Sequence, residues 1–265
     1  MKLYDRDFTS ITDDEHAEWQ AVVAANTDPK TKIQKTHWHK LPLPVRHHDS
    51  LFPNNHLDVM ELDDVDRLTK QLTAFREMLD TGNVGERQIA SFIKTQRAYF
   101  VIGGILKQYF SFGHHATFLF PEFPLGTTFC VDYLLVGKSS DGWQFVFVEL
   151  ESPALNSALS NGDLGSAFRK GLSQTADWDT WIESNFHSLT DEFRKSTVPR
   201  KPLPNEFVSL DKTRIFYAVV AGRRSDFNDK TYRIRRTQLR DNSHLVIHYD
   251  NLADAAQSAI GTPTY

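Results

Sequence analysis

At 265 residues the chain can hold one large domain, or one domain with a sizeable extension. Hydrophobic residues at 40% and charged residues at 24% match a folded globular chain and exclude a disordered or fibrous one. A net charge of −4 excludes attraction of nucleic acid over the whole surface, so any such contact needs a local basic patch.

No apolar run reaches the roughly 20 residues that a bilayer crossing requires, and the start, Met1 to Asp7, lacks the apolar stretch of a signal peptide. The expectation is a cytoplasmic protein without membrane contact. The single cysteine, Cys130, cannot form an internal disulfide, which fits a reducing compartment. Its apolar neighbours predict a buried thiol.

In chain order, Thr12 is placed to cap a helix whose first turn, Asp13, Asp14 and Glu15, meets the positive end of the helix dipole. Trp19, Val22 and Val23 give that helix an apolar stripe. From Asn26 to Pro53 the periodicity is lost, and Pro29, Pro42, Pro44 and Pro53 interrupt any regular element, which predicts an extended arm or linker. His37, His39, His47, His48 and His56 lie in it without recognisable zinc spacing. A helix is expected from about Asp63 to Leu79, where Val65, Leu68, Leu72, Phe75 and Leu79 recur at three- and four-residue steps. Another starts near Val84, with Ile89, Phe92 and Ile93 on one side and Glu86 near its N-terminal end. These boundaries divide the chain into a helical and irregular extension, residues 1–78, and a main domain, residues 79–265.

The main domain continues with strand-like runs at Thr117–Phe120, Phe129–Val136 and Trp143–Leu150. The last two are joined by the turn-rich Gly137-Lys138-Ser139-Ser140-Asp141-Gly142, which predicts an antiparallel hairpin. Although Gly137-Lys138-Ser139 looks like part of a phosphate loop, the upstream glycine of that pattern is missing. Leu164 to Phe186 is a long amphipathic helix, Arg214–Ala221 and Leu245–Tyr249 are further strands, and Leu252–Ile260 is a closing helix. Strands interleaved with helices give an α/β class with a mixed sheet flanked by helices.

Three acids stand out on the strands. Glu149 and Glu151 end the strongly apolar Phe145-Val146-Phe147-Val148, and residues two apart share one strand face about 6.6 Å from each other. Asp132 interrupts Cys130-Val131-Asp132-Tyr133-Leu134-Leu135, where a charge is excluded unless paired or bound to metal. If the hairpin brings Asp132 beside Glu149, their repulsion forces protonation of one, and a divalent cation removes that cost. Oxygen-only ligands select hard ions such as Mg²⁺, which are held by one or two carboxylates plus substrate phosphate and can activate a water for phosphodiester hydrolysis. Read singly, each acid is better explained as an ordinary strand-end carboxylate that reaches solvent or pairs with Arg or Lys, and only the set of three favours a metal site.

Glu86, Phe120-Pro121-Glu122, Val131-Asp132-Tyr133-Leu134-Leu135, Val148-Glu149-Leu150-Glu151-Ser152-Pro153 and Gln174 before Trp178 stand in an order that resembles the nuclease domain of Shedu anti-phage defence proteins. Val219-Val220-Ala221-Gly222-Arg223-Arg224 and His248-Tyr249-Asp250-Asn251-Leu252 extend the resemblance, which covers about residues 80 to 260. It implies a PD-(D/E)xK restriction-endonuclease-like fold and a DNA endonuclease dependent on Mg²⁺, or Mn²⁺ in its place, that assembles as a homo-oligomer such as a tetramer. Carried over by position, Asp132 and Glu149 would be metal ligands, and Glu151 would stand where the family pattern D…ExK has its catalytic Lys. A Glu there cannot supply positive charge, though it can act as base or help position a second ion. Lys138 and Lys170 are candidate replacements for the missing charge. Gln174, one helical turn from Trp178, would orient a water or ligand, and Glu86 would assist as a further ligand or water-positioning group.

Between Gly222 and Arg240 lie Arg223, Arg224, Lys230, Arg233, Arg235, Arg236 and Arg240 against only Asp226 and Asp229. Of these, Arg223, Arg224, Arg233, Arg235 and Arg236 are the candidate DNA contacts, because the planar guanidinium fork suits phosphate. A solvated hairpin or self-association surface explains the same cluster. Two functions compete with the nuclease: a non-catalytic nucleic-acid-binding or assembly protein on the same fold, suggested by Glu151 in place of Lys, and a carboxylate-pair glycosidase, for which no aromatic sugar cleft is evident.

Overall fold

The structure, a computed structural model, describes residues 2–28, 30–31, 45–198 and 201–265. The expectations placed on Pro29, His37, His39, Pro42 and Pro44 lie outside the described residues. Five strands, β1 (Ala116–Leu125), β2 (Phe129–Ser139), β3 (Gly142–Leu150), β4 (Ile215–Val220) and β5 (His244–Ile247), form one sheet in that order. β1, β2 and β3 pair antiparallel, while β3, β4 and β5 run parallel, so β3 is central and joins the two halves. The helices are α1 (Asp13–Asn26), α2 (Val45–Asp49), α3 (Val65–Asp80), α4 (Glu86–Thr95), α5 (Phe100–Tyr109), α6 (Ser166–Arg194), α7 (Asp229–Asn242) and α8 (Tyr249–Ala259). Among the described residues no helix is long and apolar enough to cross a membrane.

The near-continuous apolar runs of the central strands follow from burial on both faces. Tyr133, Leu135, Val146, Val148, Ala218 and Val220 face one core with apolar residues of α3, α4, α5 and α8. Leu134, Val136, Phe145, Phe147, Ile215 and Tyr217 face the other, with Trp178, Ile182, Leu189 and Phe193 of α6. The α/β class with a mixed sheet between helical layers is therefore as the sequence indicated.

Several elements differ from expectation. β1 runs on through Pro121 and Pro124, which an edge position tolerates because the missing N–H groups have no ladder partner to lose. The β2–β3 hairpin turns on Ser140 and Asp141 alone, since Ser139 pairs with Gly142 and Gly137 and Lys138 belong to the strand. The basic segment is not a hairpin but α7, capped by Asn228, and α5 is an additional, almost fully buried helix. Cys130 is exposed rather than buried: pairing of β2 with β3 ends at Tyr133↔Val148, leaving Cys130 beyond it.

The N-terminal residues are integral to the main core. α1 carries the expected Thr12–Glu15 capping box, yet none of its residues is buried, and Trp19 stacks on His48 at 5.0 Å between ring centres. The following stretch, read as an arm, returns to the sheet. Leu57 N–H donates to Thr117 O and Leu119 N–H to Asn55 O, both at 2.9 Å, along the outer edge of β1. Phe52 is fully buried against Phe118, Phe120, Phe193 and Phe207, with ring centres 5.0 to 5.8 Å away. Leu3, Leu57, Leu62 and Leu68 join the opposite core, so the division near residue 78 does not separate two cores. Proline interruption removes periodicity without removing burial.

Phe52→Ala should destabilise the whole chain by about 3–5 kcal/mol, the cost of an emptied aromatic site. A single, cooperative urea transition at lower midpoint is the expected result. An unchanged midpoint would show that this segment is dispensable to the core.

Candidate metal centre

β2 and β3 are hydrogen-bonded up to Tyr133↔Val148. One step further, Asp132 and Glu149 occupy opposed positions, and there a side chain replaces the ladder: Asp132 Oδ2 accepts the Leu150 N–H at 2.7 Å. The strands part at this point, at the C-terminal end of β3. In open sheets the carboxyl ends of parallel strands are where ligands enter. Glu151 follows at once, its N–H bound to Val220 O at 2.8 Å and its carbonyl accepting the Tyr249 hydroxyl at 2.8 Å, so the strand end is fixed on both sides.

The acids are well removed from water. Glu149 is 6% exposed and Glu151 1%, while Asp132 is half-buried. Burial is the largest influence on all three and raises their pKa values. For Glu149 the next influence is the charge of Asp132, then of Glu151, with Lys170 and a hydrogen bond from Gln174 acting in the opposite direction. For Asp132, the Leu150 N–H opposes burial, and the charges of Glu86 and Glu151 reinforce it. Asp132 and Glu149 thus behave as a pair that retains a proton near neutrality unless a cation takes its place.

Helix α6 closes the site from the side. Lys170 Nζ lies 2.9 Å from both carboxylate oxygens of Glu151 and donates a hydrogen bond to Oε2. Gln174, one turn on, faces Glu149, and Trp178 after it is buried beneath the sheet. Gly171 permits this approach: a Cβ there would stand 2.5 Å from Val219 Cγ1 and 3.4 Å from Glu151 Cγ. Any larger residue would push the helix, with Lys170 and Gln174, off the strand end.

The buried Gln174 Oε1 has no hydrogen-bond partner, and Glu151 Oε1 accepts no hydrogen bond although the Lys170 ammonium lies 2.9 Å away. An unpartnered acceptor beside two carboxyls with raised pKa values is an arrangement that a hard cation and its waters would complete. The residues present therefore fit Mg²⁺ or Mn²⁺, with Asp132 and Glu149 as ligands and Glu151 held by Lys170 instead of serving as a third. Among the described residues no three His, Cys, Asp or Glu side chains form a cage by themselves, and Mg²⁺ does not demand one, since waters and substrate phosphate fill its remaining positions.

Other expected site residues fall around this centre or away from it. Glu86 opens α4 and acts electrostatically on Asp132 and Glu151. Glu122 lies on the rim with a left-handed φ of 48°, a conformation uncommon for a non-glycine residue. The arginines are mostly committed elsewhere. Arg223 binds Asp80 at 2.7 Å, Asp250 at 2.9 Å and the Leu79 carbonyl at 2.7 Å, and Arg224 pairs with Asp254. Arg235 reaches Asn251 at 3.2 Å and lies over Tyr109. Only Arg233 and Arg236 of the five candidates remain exposed and without an ion pair among the described residues. Lys170, one of the two candidate replacements for the missing lysine, meets Glu151, while Lys138, the other, lies over the Trp143 ring. The spacing of 19 residues between Glu151 and Lys170, across an irregular connection, carried no signal that they meet.

A family model described as Shedu protein SduA, C-terminal, matches residues 83–253, from just before α4 into α8. The matched span contains Glu86, Asp132, Glu149, Glu151, Lys170 and Gln174. No curated protein matches the chain.

The raised pKa values set a pH dependence. The folded chain keeps protons that the unfolded chain releases, so this contribution to stability is complete below about pH 4, the ordinary carboxylate range, and is lost as pH rises into neutral and alkaline solution. Mg²⁺ should therefore raise the thermal midpoint more at pH 8 than at pH 5.5. Without metal at pH 8, Glu149→Gln should stabilise by roughly 1–2 kcal/mol, or about 2–8 °C, and should lose the response to Mg²⁺. Calorimetric scans check both; a metal response that persists in Glu149→Gln would place the ion elsewhere.

Proposed function

The chain belongs to the Shedu family, which implies a role in anti-phage defence, and we propose that it acts there as a metal-dependent endonuclease that hydrolyses DNA phosphodiesters. The proposal includes a PD-(D/E)xK type of fold for the sheet and assembly as a homo-oligomer. One observation carries it: Asp132 and Glu149, opposed at the parted end of β2 and β3, adjoin a Glu151–Lys170 ion pair and the unpartnered buried Oε1 of Gln174.

Asp132 and Glu149 would hold Mg²⁺ or Mn²⁺ beside the scissile phosphate. Such an ion, when bound, supplies Lewis-acid polarisation of a phosphoryl oxygen and eases deprotonation of an attacking water. Lys170 brings to the strand end the positive charge that a lysine two residues after Glu149 would otherwise supply. Its side chain is 58% exposed, so it can reach a phosphate while Glu151 holds it in place. Charge placed beforehand where the transition state is most negative lowers the barrier without reorganisation. Gln174, bonded to Glu149, has a free carbonyl oxygen with which to orient a water. Glu86 adds negative charge at the cleft side of Asp132, strengthening the site for a cation. The reading of a catalytically impaired nucleic-acid-binding or assembly protein is motivated by Glu151 in place of the usual Lys, and the Lys170 ammonium beside Glu151 weakens it.

Cleavage of linear and circular DNA in Mg²⁺ or Mn²⁺ is the direct test. The wild type should cut, and Asp132→Ala and Glu149→Ala should not. Lys170→Met should lower the rate by about 10²–10³-fold at saturating metal, with Lys170→Arg recovering part of it. A wild type that cuts nothing while binding DNA would favour the binding protein, and cleavage undiminished in both carboxylate variants would displace the site.

A further inference from the structure

Asp132 opens into a cleft of about 550 Å³ with walls of unlike charge. Asp132 and Glu122 line it from the sheet, while another wall is the outer face of α4, whose first residue, Glu86, adds a third acid at the helix's N-terminal end. That helix buries Ile89 and Ile93 in the core and turns Arg87, Ser91 and Lys94 outward. These three are spaced by four and three residues, which aligns them on one stripe. All three line the cleft. Arg87 and Lys94 are exposed, and among the described residues neither makes an ion pair or a side-chain hydrogen bond. Most of the chain's basic segment is in the opposite condition, with Arg223, Arg224, Lys230 and Arg240 neutralised by aspartates.

We propose that Arg87, Ser91 and Lys94 form the track on which the phosphate backbone of the nucleic acid lies as it passes Asp132, and that the arginine-rich segment around α7 is not this track. The inference rests on the nuclease reading of the neighbouring carboxylates, and deepens it by assigning the substrate contact. From Arg87 to Lys94 the helix advances about 10.5 Å, close to three nucleotide steps of roughly 3.4 Å along one strand. Arg87 offers a planar fork to one phosphate, Ser91 a hydroxyl donor and Lys94 a point charge to another. With a net charge of −4 the surface as a whole repels a polyanion, so two uncompensated cations facing the carboxylates decide where the backbone settles. Glu122, on the strand side of the cleft, reinforces that choice by disfavouring phosphate there, and Glu86 at the start of α4 confines the track to the residues from Arg87 onward. Lys2 stands at the cleft's mouth but is paired with Asp7 at 2.5 Å.

The test is fluorescence anisotropy of a labelled DNA duplex with the full chain in chelator, measured over a salt series. Arg87→Ala/Lys94→Ala should bind at least tenfold more weakly, and the slope of log affinity against log salt should become shallower by about 2, at roughly 0.9 for each phosphate no longer neutralised. Arg87→Lys/Lys94→Arg should keep the slope, and Arg233→Ala/Arg236→Ala should leave both quantities unchanged. Unaltered affinity and slope in the first variant, or a weakening produced by the α7 pair, would overturn the proposal. The two readings fail separately. A wild type that binds through α4 but cuts nothing in Mg²⁺ or Mn²⁺ keeps the track and removes the nuclease. A wild type that cuts, with binding indifferent to α4, does the reverse.

Discussion

A carboxylate, not a carbonyl, accepts the Leu150 N–H, and most of the site follows from that exchange. A regular ladder would continue past Tyr133↔Val148 and leave Asp132 and Glu149 merely abreast on a paired sheet. By taking over the Leu150 donor, Asp132 ends the ladder without orphaning a buried N–H, so the strands can part with little loss of hydrogen bonding. It also fixes its own rotamer, leaving its other oxygen for the cleft. The cost is electrostatic. Two carboxyls stand at opposed positions, Glu149 buried and Asp132 half-buried, and burial drives both toward the protonated form. A fold keeps such a pair only where something else returns the energy, and on the proposed reading a bound cation would do so.

The second constraint is the closeness of α6 to the end of β3. Gly171 removes the side chain that would separate the helix from Val219 and Glu151, and Lys170 and Gln174 then flank the carboxylates from one turn of one helix. Glu151 acquires a role consistent with its burial: it anchors an ammonium that projects toward solvent. The positive charge thus comes from the helix beside the strand instead of from the strand itself, with the same neighbours within reach. α4 closes the opposite side of Asp132, bringing Glu86 and the unpaired Arg87 and Lys94 to the same cleft.

Much of this was legible in the sequence where the relevant contact is local. Period-two spacing placed Glu149 and Glu151 on one face, the apolar neighbours of Asp132 marked it as costly, and Thr12, Leu68, Leu72 and Phe75 placed helices correctly. What escaped depends on tertiary contact. Phe52 lies in a proline-interrupted stretch with no period to reveal its burial, yet it fills the aromatic core under β1. β1 extends through Pro121 and Pro124 because it is an edge there, a fact no single strand records about itself. The arginines from 223 to 240 made a patch on paper, but Asp80, Asp250 and Asp254 come from other elements and neutralise its first two members. Arg87 and Lys94 looked like ordinary helix surface, although their seven-residue spacing opposite Ile89 and Ile93 was visible.

The central claim is that Asp132 and Glu149 together hold a divalent cation. Anomalous diffraction from a crystal of the wild-type chain soaked in Mn²⁺ tests it without reference to any substrate. A peak between the Asp132 and Glu149 carboxylates, within ligand distance of both and absent from Glu149→Gln crystals, is the predicted result. A wild-type map with no peak there, or with the ion bound to other side chains, would contradict the account.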